Sequence, residues 1–302
     1  MDLNFFKKVR VLDGGMGQEL LARGMKPSGT LWSANALINQ NYHKLLLDIH
    51  LDFIKAGAEV IVTTTFTTRK SRLKDNKVLH KYEYLNKKAG EIAKKVKKIY
   101  PNVLIAGGLP PQNLTYESDE RNDSEIKENF TSQADLLNPY VDFFYFDVLS
   151  SVREFKIAIE SIEKFDKPYL LGAHISEGTC LPSGEKISNI IKNIKHKKLL
   201  GLILSCVSPE NFELNLDEIK TLGVPFGFKL NAFIKTNPKP NYTGAYKKSK
   251  TGNPNEFLGI RKDLTPEKML EFAKKFKDAG ATIIGGCCET RPSHIQAFSK
   301  LK

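Results

Sequence analysis

The chain has 302 residues, 41% hydrophobic and 26% charged, with a net charge of +12 that comes mostly from lysine. That balance describes a soluble globular protein with a sizeable core. No apolar run approaches the roughly 20 residues of a membrane span, and four cysteines in a chain this long are not a disulfide framework. The first residues, MDLNFFKKVR, lack a secretory h-region and cleavage site, so a reducing cytoplasm is the expected setting. Basic runs such as Lys94-Lys95-Val96-Lys97-Lys98 have helical spacing and little aromatic interleaving. They read as a solvated helix face, and nucleic acid is not an expected partner.

Val9 to Asp13 is a short apolar run closed by Asp13-Gly14-Gly15, a strand and a tight turn. Asn41 to Ala56 carries a 3.6-residue apolar pattern through Leu45, Leu46, Ile49, Phe53 and Ile54, and Gly57 ends it. Glu59 to Phe66 (EVIVTTTF) is rich in β-branched residues, which predicts a second strand, and lysine-rich helical sequence then runs to Tyr100. Val103 to Leu109 is a third strand, closed by Pro110-Pro111; a polar loop leads to a helix near Ser124 to Leu137. Asp142 to Val148 is the fourth strand, followed by a helix from Ser151 to about Phe165. Pro168 to Ile175 is the fifth, followed by a Gly-rich loop with Cys180 and a helix near Lys186 to Ile194. Leu200 to Cys206 is the sixth, and Ser208-Pro209-Glu210 starts a helix. Pro225 to Asn231 is the seventh, followed by a long irregular segment from Lys235 to Leu258. Thr265-Pro266-Glu267 caps a helix to Ala279. Ala281 to Cys288 is the eighth strand, and Thr290-Arg291-Pro292 opens the last helix.

Strands alternating with helices, eight times and without a composition break, predict one closed (β/α)₈ barrel over residues 1–302, a fold that commonly needs about 250 residues. The alternative is an open doubly wound sheet. Gly14-Gly15-Met16-Gly17 lacks the dinucleotide-binding spacing that would favour it.

A barrel of this kind builds its site at the C-terminal strand ends. Those ends carry Asp13, Thr63, Thr65, Asp147, Cys206, Asn231, and Cys287 with Cys288. Adjacent cysteines rarely meet disulfide geometry. Taken alone, the pair is compatible with inert core thiols or with metal ligands. Cys206 ends the sixth strand on the same rim, so three sulfurs converge. Three thiolates with one open position describe a catalytic zinc site. Such a zinc is electron-rich and suited to holding a substrate thiol as thiolate, which points to alkyl transfer onto sulfur.

The chain resembles the zinc-dependent homocysteine S-methyltransferases, which include betaine- and S-methylmethionine-dependent enzymes and the homocysteine module of methionine synthase. The resemblance covers nearly the whole chain. It rests on LDGGMGQEL (Leu12 to Leu20), LWSA (Leu31 to Ala34), AGAEVIVTTTF (Ala56 to Phe66), AGGLPP (Ala106 to Pro111), the cysteine of LILSCVSPE, and DAGATIIGGCCETRPSHI (Asp278 to Ile295). It implies zinc on Cys206, Cys287 and Cys288, homocysteine sulfur on the zinc, methionine as product, and contact of Asp13 and Gly14 with the amino-acid moiety of homocysteine. Thr63 and Asp147 are further substrate-contact candidates. Asp147 and Ser205 stand where family members usually carry Glu and Asn. Thr67 stands where betaine-using enzymes tend to carry Tyr, which favours a sulfonium donor (S-methylmethionine, dimethylsulfoniopropionate or S-adenosylmethionine) over betaine.

Trp32, the only tryptophan, reads as a packing residue or as an aromatic wall for a cationic methyl donor, with Phe66 and Tyr145 as possible neighbours. Cys180 reads as incidental, and His174 as a satisfied barrel histidine. The loops 110–123 and 235–258 rise over the site as lids or as variable surface loops. Beside the methyltransferase stands a second reading, a non-catalytic zinc- or thiol-binding barrel that has lost donor binding. A closed structural zinc site would need a fourth protein ligand, for which Cys180 is the free cysteine.

Overall fold

The computed structural model describes residues 1–195, 197–235 and 256–302. Eight parallel strands follow the order β1-β8-β7-β6-β5-β4-β3-β2. They are β1 Arg10–Val11, β2 Val60–Val62, β3 Leu104–Leu109, β4 Phe143–Leu149, β5 Tyr169–Ala173, β6 Leu199–Val207, β7 Phe226–Leu230 and β8 Ile283–Gly286. The two ends of that order also meet. Glu59 N–H donates to the Val11 carbonyl at 2.8 Å and Asp13 N–H to the Val60 carbonyl at 3.1 Å. Leu12 bridges Val60 in parallel. The sheet closes into the predicted barrel, and the open-sheet alternative falls.

Strand residues alternate between two apolar regions, as expected for a parallel sheet covered on both faces. Val60, Ala106, Phe143, Leu170, Ile203 and Ile283 fill the barrel interior. Val11, Ile61, Ile105, Phe144, Phe146 and Leu171 face outward under the helices. The helix His43–Lys55 buries Leu46, Ile49 and Phe53 on that outer layer. The helix Tyr82–Ile99 buries Leu85, Ala89, Ile92, Ala93 and Val96, which leaves Lys94, Lys95 and Lys98 exposed on its far side. Phe6 closes the N-terminal floor. Its ring meets Phe143 edge-on at 6.0 Å, and its carbonyl accepts from Thr282 Oγ1 at 2.6 Å. The floor is apolar and sealed, so the C-terminal mouth is the end left for chemistry. Among the described residues no helix is long and apolar enough to cross a membrane.

Two expectations need correction. The lysine-rich stretch before Tyr100 is not one helix. It breaks at Lys77, where φ is +58°, between the helix Lys70–Asp75 and the helix Tyr82–Ile99. The second strand stops at Val62 rather than Phe66. The threonine side chains take over the ladder there. Thr63 Oγ1 accepts from Gly108 N–H at 2.9 Å, and Thr65 Oγ1 donates to the Gly108 carbonyl at 2.6 Å. The β-branched composition is real, but hydroxyls compete with the backbone for the same partners. The chain is thereby released to turn over the mouth.

Thr65 is fully buried. Thr65→Val should leave the Gly108 carbonyl without its donor and lower stability by about 1–3 kcal/mol. A urea titration should show the midpoint falling with the slope unchanged. An unchanged midpoint would contradict this role for the hydroxyl.

Candidate active site

Asp13, Gly14, Trp32, Thr63, Asp147, Cys206, Cys287 and Cys288 all line one cavity at the barrel mouth, about 870 Å³ including its opening. Phe66, Thr67, Tyr116 and Lys229 line it as well.

The three sulfurs lie within 4.8 Å of one another. Cys206 Sγ and Cys288 Sγ are 3.7 Å apart, far beyond a disulfide. Tetrahedral zinc with sulfur at about 2.3 Å sets neighbouring sulfurs about 3.8 Å apart, so the spacing fits a metal ion of that size. Hydrogen bonds from Cys287 and Cys288 pull the Cys206 thiol well below its usual range. Cys287 and Cys288 are pushed up, first of all by Cys206 beside them. The trio accommodates one negative charge readily and resists the next, and a divalent cation relieves that repulsion.

Backbone detail aims these sulfurs. Cys206 has φ +55° and sits where the β6–β7 register slips between Ser205 and Val207, a β-bulge. A bulge re-aims a side chain. Asn231 at the end of β7 holds it there, donating Nδ2 to the Cys206 carbonyl at 2.6 Å. The loops after β1 and β8 cross closely: a Cβ on Gly15 would lie 2.6 Å from the Cys287 carbonyl. Only glycine admits that approach. Thr290 donates its N–H and its hydroxyl to the Cys287 carbonyl, which fixes the turn carrying both cysteines.

Other residues fall as follows. Asp13 is buried; Oδ2 accepts from Val62 N–H at 2.8 Å and Oδ1 from Lys229 Nζ at 3.2 Å. Asp147 accepts from Tyr145 Oη at 2.6 Å, and burial raises its carboxyl above the usual range, against the pull of Lys229. Tyr145 is not a neighbour of Trp32. It is buried in the barrel interior, bonded to Asp147 and Ser205. Trp32 meets Phe66 edge-on at 6.4 Å. Thr67 accepts from Ala34 N–H and donates to the Leu31 carbonyl, so it anchors the segment that carries Trp32. His174 is buried, bonded to Ser176 and pushed down to about 4 by burial, a neutral barrel histidine. Cys180 lies outside the sulfur group. The loop 110–123 does rise over the site: Tyr116 stacks on His174 at 4.1 Å and its hydroxyl donates to Cys206 Sγ at 3.3 Å. Most of the loop 235–258 lies outside the described residues; Phe233 and Leu258 pack beside Cys206 and Cys288.

Sequence reasoning missed Lys229 and Tyr116. The alternation in PFGFKLN was a usable signal for Lys229, since it places Lys229 on the face opposite Phe228, which packs under the helices. Tyr116 lies in a loop with no periodicity to read.

A closed parallel barrel with three thiols gathered at its C-terminal mouth defines a sulfur-site (β/α)₈ protein. The family model described as homocysteine S-methyltransferase matches residues 10–301, and the chain belongs to that family. It is 26% identical to Homocysteine S-methyltransferase 2 of Saccharomyces cerevisiae, over 97% of this chain and 94% of that protein. It is 24% identical to Homocysteine S-methyltransferase 1 of Arabidopsis thaliana, over 96% and 92%. The metallated form of the homocysteine methyltransferase MmuM from Escherichia coli shares the fold, with a TM-score of 0.79, 20% identity, and 98% of this chain and 96% of that one covered. The chain is an enzyme of this family.

The sulfur geometry predicts that purified protein holds about one metal ion per chain. Cys206→Ala, Cys287→Ala and Cys288→Ala should each strip it, and Cys180→Ala should not, as read by elemental analysis. Full occupancy in Cys287→Ala would remove that residue from the ligand set.

Proposed function

We propose that the chain transfers a methyl group from a sulfonium donor to homocysteine, forming methionine, with zinc held by Cys206, Cys287 and Cys288. The observation that carries this reading is the convergence of the three sulfurs on a cavity that also has an aromatic wall. Soft sulfur ligands select zinc over magnesium or calcium. Bound there, zinc supplies the deprotonation of a substrate thiol at neutral pH.

The remaining work falls to the chain. The substrate sulfur bonds to the donor's methyl carbon while the donor's carbon–sulfur bond breaks. That electron pair stays on the donor sulfur, which leaves as a neutral thioether, and the thiol proton goes to solvent. The donor therefore arrives as a cation and departs uncharged. Trp32 attracts a cation through its π face, worth about 0.5–2 kcal/mol, without the tight ion pair that would over-stabilise the ground state, while the Phe66 ring that braces it already carries the Arg69 guanidinium, 5.5 Å from its centre. Tyr116 and the loop 110–123 cover the sulfurs and limit water around them. Thr67 is spent on the Leu31–Ala34 backbone and offers no ring to a donor, which supports a sulfonium rather than betaine.

The test is a donor panel on zinc-loaded protein with homocysteine, reading methionine. S-methylmethionine, dimethylsulfoniopropionate or S-adenosylmethionine should serve and betaine should not. Trp32→Ala should raise the KM of the active donor about 3- to 30-fold with metal content unchanged. Methionine from none of the donors would overturn the proposal, and methionine from betaine alone would overturn the sulfonium preference.

A further inference from the structure

The cavity holds a cation that the reading above does not use. Lys229 sits one residue from the C-terminal end of β7, is 5% exposed, and lines the same cavity as the three sulfurs. A buried ammonium persists only when it is paired and hydrogen-bonded. Among the described residues its one hydrogen-bond partner is Asp13 Oδ1, at 3.2 Å, with the Tyr145 ring 5.7 Å away. That bond is long for a charge-assisted contact, and an ammonium has three N–H groups to place. Asp13 is also shared with the scaffold. Its other oxygen accepts from Val62 N–H, a bond that helps to close β1 onto β2. The cavity's Arg69 is differently placed, with its guanidinium donating to the Phe66 carbonyl and the Thr115 hydroxyl.

We infer that Lys229 is the anchor for the carboxylate of the thiol substrate, with Asp13 as the positioning residue that holds it. This rests on the homocysteine reading and deepens it. Asp13 then contributes through Lys229 rather than by touching substrate with its own carboxylate. Burial opposes a charge on Lys229, but the carboxylates of Asp13 and Asp147 outweigh it and hold the ammonium above its ordinary range.

The test compares three thiols: homocysteine, its desamino analogue mercaptobutanoate, and its descarboxy analogue aminopropanethiol. Thiol binding is read on the cobalt-substituted protein from the sulfur-to-metal charge-transfer band, and metal content is measured alongside. The variants are Lys229→Met and the double variant Lys229→Met with Asp13→Asn. The double variant removes the buried unpaired carboxylate that destabilises the single one. Affinity for homocysteine and mercaptobutanoate should fall about 10- to 100-fold, and affinity for aminopropanethiol should not change. An equal loss for all three thiols would assign Lys229 a purely structural role, and no loss for any would remove it from recognition; either overturns the inference. A wild-type protein that binds none of the thiols would instead overturn the homocysteine reading, and the inference with it.

Discussion

The site depends on one geometric requirement: sulfurs from two strands that do not touch must reach a common point. β7 lies between β6 and β8. Cys287 and Cys288 come off the end of β8 by a turn, so Cys206 must lean toward them past β7. It does so in the left-handed region, at φ +55°, a backbone state that costs a non-glycine residue of order 1–3 kcal/mol. Asn231, on the intervening strand, secures that backbone through the Cys206 carbonyl. Trp32, Tyr116, Val148 and Glu289 also have positive φ, and all lie at this same mouth. Strain is concentrated where the chemistry sits.

The barrel interior is therefore divided along its axis. Its lower part is hydrocarbon. Its upper part is a polar layer of Asp13, Tyr145, Asp147, Ser205 and Lys229, each bonded to another member. Gly172 makes room for it, because a Cβ there would lie 2.4 Å from Ser205 Oγ and 2.8 Å from Tyr145 Oη. Asp13 joins the layer to the scaffold: one oxygen reaches the β2 backbone, the other reaches Lys229. Barrel closure and the charge pattern of the site thus share a residue.

The parts legible in the sequence were those set by repetition or by rare residue types. Eight apolar runs between helical segments encode the barrel because each strand must be buried on both faces. Cysteine is scarce enough in this chain that three of its four at strand ends stand out. What was not legible depends on contacts between distant segments. The end of β2 turns on whether Thr63 and Thr65 bond to Gly108, a partner more than forty residues away. The bulge at Cys206 leaves no mark in LILSCV, which reads as an unbroken strand. Tyr145 alternates correctly onto the interior face, yet its depth puts it below the cavity and away from Trp32. Depth along a barrel is fixed by strand stagger, and one strand's pattern does not contain that.

Trp32 shows why packing and function need not be alternatives. Its indole lies against Gly17 so closely that a Cβ there would sit 2.1 Å from the ring. Phe66 meets it edge-on, and Thr67 ties down the backbone on both sides of it. The ring is held by contacts that a mobile surface aromatic lacks, and it still lines the cavity. A wall fixed in advance spends no binding energy on ordering itself when a donor arrives. On the proposed reading, that matters because the donor is a cation that loses its charge as the methyl leaves. Flexible anions would follow the cation and deepen the ground state, whereas a rigid π face binds it weakly in one place and yields as the charge disappears. The same contacts that hold Trp32 in place therefore suit it to the donor-wall role proposed above.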